Sequence, residues 1–172
     1  MIEGAPFALE ALERWPDKVR VAVSEGGMPG MTIEGRRYPE PTGPGAGCPP
    51  EHSLNSAEGL DPGSVEGMLH DADREGIDRM VLYPSLGIAI PGFEDARFAA
   101  EFAEVYNRFV ADWCRDSGGR LFGVGVVPIE DVERSTAMLP DIKEAGLVAV
   151  MLPPALRTRN LDHADLDPFY SV

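Results

Sequence analysis

The sequence predicts an α/β fold assembled from repeated β–α units, and two observations carry that prediction. Three short apolar runs, Ile77–Tyr83, Leu121–Val127 and Leu147–Leu152, each stop at a proline: Pro84, Pro128 and Pro153. Each run follows a stretch with helical spacing of apolar residues, and glycines at 76 and 146 mark the ends of two of those stretches. Short strands without polar alternation are buried on both faces, the signature of parallel sheets, and parallel neighbours require a helical crossover.

The elements follow in order. Residues 1–62 read as an irregular N-terminal segment: a short helix over Phe7–Arg14 with Leu9, Leu12 and Trp15 on one side, a strand over Val19–Val23, and another over Met31–Tyr38. Pro39–Pro50 (PEPTGPGAGCPP) is too dense in glycine and proline for regular structure, a composition typical of lids, binding loops or disordered spans. Residues 63–172 carry the sharper pattern. Ser64 caps a helix running to Glu75, whose apolar stripe is Val65, Met68, Leu69 and Ala72, and Gly76 ends it. Asp95 opens the strongest helix, in which Phe98, Phe102, Val105, Phe109 and Trp113 share one face and Ala99, Ala103, Tyr106 and Val110 widen it. Gly123 and Gly125 sit within the second strand, where they permit close packing. Asp131 caps a third helix, Val132–Ala145, with Val132, Thr136, Leu139 and Ile142 as its stripe; Pro140 is expected to kink or shorten it. After the last strand a loop leads to a helical start at Pro168. Right-handed crossovers leave two closures open, a flat doubly wound sheet or an eight-stranded barrel of roughly 250 residues.

Composition narrows the function. The chain has 172 residues, 29 acidic against 15 basic, for a net charge of −14. Such a surface repels phosphate backbones and anionic lipid, so nucleic-acid and membrane partners are not expected. No apolar run is long enough to cross a bilayer, and MIEGAPFALEALE lacks the cationic and apolar parts of a secretory signal. Cys48 and Cys114 have no CxxC partner. The chain reads as cytoplasmic, with reduced thiols.

Candidate site residues are few. In parallel α/β folds, residues just past the strands line the ligand site, which marks Ser85 and Leu86 after the first strand and Pro153 after the third as substrate-binding candidates. For Ser85 a backbone-bonded turn after Pro84 is the competing reading. No GxSxG motif accompanies it, so a serine nucleophile is not expected. His52, His70 and His163 are the three imidazoles. His70 is off its helix's apolar stripe and expected to face solvent. His163 lies in LDHADLD, amid three aspartates, a His/Asp cluster that invites a metal hypothesis. The sequence offers no metal ligand set and no catalytic residue. GPGAG at Gly43–Gly47 lacks the Lys-Ser/Thr pair of a phosphate loop. Arg36 and Arg37 suit a bidentate carboxylate contact, or simply a surface hairpin. Asp71, Asp73, Glu75 and Asp78 read as a solvated face.

Taken together, EGIDRMVLYPSLG, AEVYNRFVADWC, RLFGVGVVPIEDVE, LVAVMLPP and LDHADLDPFY resemble successive motifs of the amidohydrolase-related family, metal-dependent hydrolases and decarboxylases of the aminocarboxymuconate-semialdehyde decarboxylase type. The resemblance runs from about Arg14 to Val172 and is firm from Gly63. It implies a partial (β/α)8 TIM barrel, with Ile77–Tyr83, Leu121–Val127 and Leu147–Leu152 as strands two, three and four and their helices outside, and with LDHADLD as a loop to the next helix, capped by Asp165 or Asp167, rather than a metal site. It also implies that the complete enzyme holds a divalent metal, zinc above all, through a His-x-His pair after strand one and later histidines and an aspartate. No His-x-His occurs in this chain. The expectation is therefore a central fragment, with no metal bound by this chain itself, of a hydrolase or decarboxylase acting on a small carboxylated or aromatic substrate. The competing reading is a non-catalytic α/β module that binds a ligand or partner. An unfinished barrel leaves apolar edges, which makes a homo-oligomer a further expectation.

Overall fold

A computed structural model describes residues 5–23, 29–38, 64–157 and 159–172. Helix α1 (Ala5–Arg14) leads into three short strands, β1 (Val19–Val23), β2 (Pro29–Ile33) and β3 (Arg36–Tyr38). These form an antiparallel sheet in the order β1-β2-β3. The run expected as a single strand over Met31–Tyr38 is thus two strands. Glu34 and Gly35 take positive φ values of 48° and 80° and reverse the chain between them, a backbone state glycine adopts without penalty. Gly/Pro-rich Pro39–Pro50, with Cys48, and also His52, lie outside the described residues.

The second sheet carries the repeat. Helix α2 (Val65–Glu75) precedes β4 (Met80–Leu82), helix α3 (Ala96–Arg115) precedes β5 (Leu121–Val126), and helix α4 (Val132–Glu144) precedes β6 (Ala149–Met151). A four-residue helix α5 (Asp167–Tyr170) follows the last loop. The three strands are parallel, in the order β4-β5-β6; Met80 aligns with Leu121 and Val124 with Ala149. The strands are shorter than the apolar runs that announced them, because β4 and β6 each pair with only part of β5.

The expected caps are present. Ser64, Asp95 and Asp131 each accept a hydrogen bond from a first-turn backbone N–H, at 3.0, 3.0 and 3.1 Å. Gly76 ends α2 in the left-handed conformation, with φ of 69°. Arg120, at the foot of β5, fastens the α2–β4 turn: its guanidinium donates to the Ile77 carbonyl at 2.7 Å, the Asp78 carbonyl at 3.0 Å and the Asp73 carboxylate at 2.6 Å. Pro140 does not shorten α4, which runs on to Glu144. Pro140 is exposed, so the Thr136 carbonyl that loses its helical donor faces the solvent side, where water replaces the bond.

Helix α3 organises the core. Phe98, Ala99, Phe102, Ala103, Tyr106 and Val110 are buried, whereas Phe109 and Trp113, expected on the same face, are only half-buried. The reason is that α3 has two partners. Towards its start, Phe98 and Phe102 meet Trp15 and Phe93, with ring centroids 5.1–5.4 Å apart across the four pairs. Further along, smaller side chains meet the parallel sheet. A methyl group on Gly123 would collide with Val110 and crowd Cys114 at 3.3 Å; on Gly125 it would lie 3.2 Å from both Asn107 of α3 and Ile142 of α4. Helices α3 and α4 therefore cover the same face of β5, and its glycines let them approach.

Candidate functional site at the carboxyl ends of the parallel strands

Parallel strands bring their carboxyl ends to one edge of the sheet. There the chain leaves β4 through Tyr83-Pro84-Ser85, β5 through Val127-Pro128, and β6 through Leu152-Pro153-Pro154. Ser85, half-buried, stands just before a 3-10 segment, Leu86–Gly92, which Leu86 opens. That segment is pressed onto the end of β5: a Cβ on Gly87 would sit 2.9 Å from Pro84, 3.2 Å from the Tyr106 ring and 3.2 Å from Val126. Pro153 is half-buried past β6. The topology thus brings Ser85, Leu86 and Pro153 to one edge, on the two outer strands, with the β5 turn between them.

A crevice of about 30 Å³ opens at this edge between Ile90 and Pro91 of the 3-10 segment, Phe93 just past it, Pro128, Glu130 and Asp131 after β5, and Arg157 after β6. Neither Ser85 nor Pro153 lines it. The loop after β6 is tied to the turn after β5 at three points. The Arg157 backbone N–H donates to the Glu130 carboxylate at 2.7 Å, and the Arg159 guanidinium donates to the carbonyls of Glu130 at 2.9 Å and Ile129 at 3.5 Å. A wider groove of about 320 Å³ lies in the helical layer, lined by Asn107, Arg108, Ala111 and Asp112 of α3 and Met138 and Ile142 of α4, among others. None of the residues expected at the site lies there.

The buried amide of Asn107 went unmarked in the sequence. Its Nδ2 donates to the Val126 carbonyl at 2.9 Å and its Oδ1 accepts from the Val126 N–H at 2.8 Å. Arg120, an even number of residues before Val126, gives its carbonyl to Met80 of β4. Val126 therefore points its polar groups to the β4 side, where β4 has already ended. Asn107 supplies the missing strand's hydrogen bonds. The signal was visible as one polar side chain within an apolar helical stripe, but its partner was not.

The other titratable candidates are dispersed. His70 is half-buried rather than turned to solvent, with Nδ1 3.7 Å from Asp71 Oδ1. His163 itself caps the short turn Ala164–Leu166, its Nδ1 accepting from the Asp165 N–H at 3.2 Å, so neither Asp165 nor Asp167 takes that role. Arg36 faces Glu94 at 3.7 Å on the β2–β3 hairpin. Burial pushes the Cys114 thiol up to about 11, which leaves it protonated and inert at neutral pH. Among the described residues no group of three or more His, Cys, Asp or Glu side chains is placed to hold a metal ion. A metal centre does not fit the residues described.

No protein-family model matches the chain, and no curated protein matches it significantly. Solved structures do. The 2,6-dihydroxybenzoate decarboxylase from Rhizobium is 22% identical, with a TM-score of 0.54 over 60% of this chain and 34% of that one. The 5-carboxyvanillate decarboxylase from Novosphingobium aromaticivorans, solved with manganese and 4-hydroxy-3-methoxy-5-nitrobenzoic acid, is 28% identical, with a TM-score of 0.56 over 65% of this chain and 31% of that one. The chain is similar to amidohydrolase-type decarboxylases. That similarity bears out the resemblance read from the sequence motifs, and it extends over part of the chain. The chain spans about a third of the length of these decarboxylases, 34% and 31%. The 5-carboxyvanillate decarboxylase holds manganese, a divalent metal as expected for such enzymes, although not zinc. Among the described residues no helix is long and apolar enough to cross a membrane.

Proposed function

We propose that this chain forms the second, third and fourth staves of a (β/α)8 barrel in a metal-dependent decarboxylase of small aromatic acids. The observation that carries this reading is the 28% identity to 5-carboxyvanillate decarboxylase over 65% of the chain. The fold is compatible with it: the strands are parallel in chain order, and α3 and α4 lie on one face of β5, as in a stretch of barrel wall. Decarboxylation is favoured over hydrolysis because the 5-carboxyvanillate and 2,6-dihydroxybenzoate enzymes are both decarboxylases.

On this reading the chain's own residues bind and orient. Ser85, with Leu86 next to it in the chain, offers a hydroxyl to a ring substituent, and Pro153 supplies apolar wall across the β5 turn, so that the scissile carboxylate is held away from bulk water. The divalent metal, whether manganese or zinc, is then held by residues outside those described. The chain by itself does not turn substrate over. The setting is cytoplasmic, in keeping with Cys114 as a free thiol.

The test is a metal and turnover assay on the purified chain. After exchange into manganese or zinc and dialysis, the expected result is substoichiometric metal and no carbon dioxide release from 5-carboxyvanillate above the buffer rate. Stoichiometric metal retained with turnover would show that the chain carries its own centre and would refute the reading of an incomplete site. Stoichiometric retention without turnover would favour a metal-binding module instead.

A further inference from the structure

Among the described residues the parallel sheet has two open edges, and the sequence treats them differently. The strand order is β4-β5-β6, so the far sides of β4 and β6 meet no other strand. On β4, the Met80 N–H donates to the Arg120 carbonyl at the foot of β5, at 2.9 Å. Main-chain groups alternate in direction along a strand, so Met80 and Leu82 turn towards β5, while Arg79, Val81 and Tyr83 turn outwards. No main-chain hydrogen bond among the described residues uses the outward groups of these three. On β6, the Val148 N–H reaches the Gly123 carbonyl at 3.0 Å, which turns Ala149, Met151 and then Pro153 outwards. Proline has no N–H to give, and at an outward position it blunts an edge. The proline after β4, Pro84, falls on an inward position and blunts nothing. The β4 edge is therefore an unprotected row of donors and acceptors.

Such an edge is completed by another strand, and the order of side chains says which one. The run Arg79-Met80-Val81-Leu82-Tyr83 is self-complementary when a copy lies antiparallel to it with Val81 opposite Val81. Every outward residue then meets an outward residue. Val81 meets Val81, and Arg79 meets Tyr83 on either side of the two-fold axis. These are the hydrogen-bonded pairs of an antiparallel ladder, each of which exchanges two main-chain bonds. Between them Met80 meets Leu82, apolar against apolar, on the side of the sheet that carries the helices. Arg79, Val81 and Tyr83 share the opposite face, and all three are exposed. Across the axis a guanidinium is thus set beside a tyrosine ring, twice, an attractive pairing of cation and aromatic face. We propose that a second copy of this chain docks on the β4 edge, antiparallel and about a two-fold axis at Val81, joining two three-stranded sheets into one. The proposal does not rest on the decarboxylase reading. In the barrel described above this edge belongs to the preceding stave; the chain by itself satisfies it with its own copy.

The experiment is sedimentation velocity on the full chain over a concentration series, paired with an NMR sample that mixes isotope-labelled and unlabelled copies. The expected result is a monomer–dimer equilibrium, with an Hα–Hα contact between Met80 of one copy and Leu82 of the other, the close pair of an antiparallel ladder. Val81→Pro removes an outward N–H and no bond to β5, so each dimer loses two hydrogen bonds and its dissociation constant should rise by about tenfold or more. Tyr83→Ala leaves the main chain intact and should weaken the dimer by less. A dimer without the Met80–Leu82 contact, or one that keeps its affinity in Val81→Pro, would overturn the edge and leave the exposed face alone as the contact. Species that keep growing with concentration would overturn the two-fold axis, because β4 on the β6 edge of the next copy is head-to-tail and does not close. A chain that stays monomeric throughout would overturn the proposal and leave the edge to a strand of another protein. The contact between copies is read on the unmodified chain, so it decides the matter even if Val81→Pro does not fold.

Discussion

Asn107 stands in for a strand. Its two hydrogen bonds satisfy both main-chain groups of Val126 at the floor of the α3–α4 groove, where the residue is only 6% exposed. Replacing it with leucine keeps the bulk and strands one donor and one acceptor. The expected cost is about 2–4 kcal/mol, read as a lowered urea midpoint with an unchanged slope. A second residue-scale prediction concerns pH. Lys18 donates to Asp95 at 2.6 Å and to Glu34 at 3.1 Å, joining the β1–β3 sheet to the start of α3. The Lys18 ammonium, and after it the Phe98 backbone N–H, hold the Asp95 carboxyl below its ordinary value of 3.8. A depressed carboxyl contributes stability above its unfolded value and loses it as pH falls through the folded one. The stability gap between wild type and Asp95→Asn should therefore be full at neutral pH and close below the ordinary carboxylate range, as denaturant titrations at several pH values will show. A third follows from Cys114: peptide mapping after brief alkylation at pH 7 should find it unmodified in the folded chain and modified in urea. The sequence marked Asp95 as a cap because capping is local, within three residues. It could not mark Asn107 or Lys18 in these roles, because their partners lie 19 and 77 residues away.

At the scale of elements, helix α3 shows how far periodicity reaches. Its start and cap were legible, and so was its apolar excess, since all come from the pattern along one helix. Which of its large residues point at the sheet was not legible. Phe98 and Phe102 were drawn towards Trp15 and Phe93, leaving Ala103, Tyr106 and Val110 to meet β5, so that Phe109 and Trp113 end half-buried. Similarly, Pro140 reads as a breaker until its exposure is known. The contact between α3 and β5 gives a prediction of its own. Gly123→Ala places a methyl against Val110 and should destabilise the fold by about 1–3 kcal/mol by overpacking. Adding Val110→Ala should return part of that loss, a coupling that a double-mutant cycle measures directly.

At the scale of the whole molecule, the fold class was readable because strand, proline, helix and glycine repeat along the chain with short punctuation. The site was less readable. Ser85, Leu86 and Pro153 do reach one sheet edge, but Arg159 and Glu130 acquire meaning only when two loops meet. The outer strands also expose apolar surface: Val81 is 53% exposed and Tyr83, one step past β4, 62%. By strand alternation these two point away from the face that α3 and α4 cover. We expect the chain to self-associate through this surface, and Val81→Lys to shift it towards monomer in sedimentation velocity; an unchanged distribution would remove this surface from consideration. The most direct test of the central claim is a backbone amide shift map of the chain titrated with 4-hydroxy-3-methoxy-5-nitrobenzoic acid. The account predicts perturbations gathered at the strand ends, at Ser85, Gly87, Val127 and Arg157. Shifts confined to the groove between α3 and α4, or none at all, would contradict it.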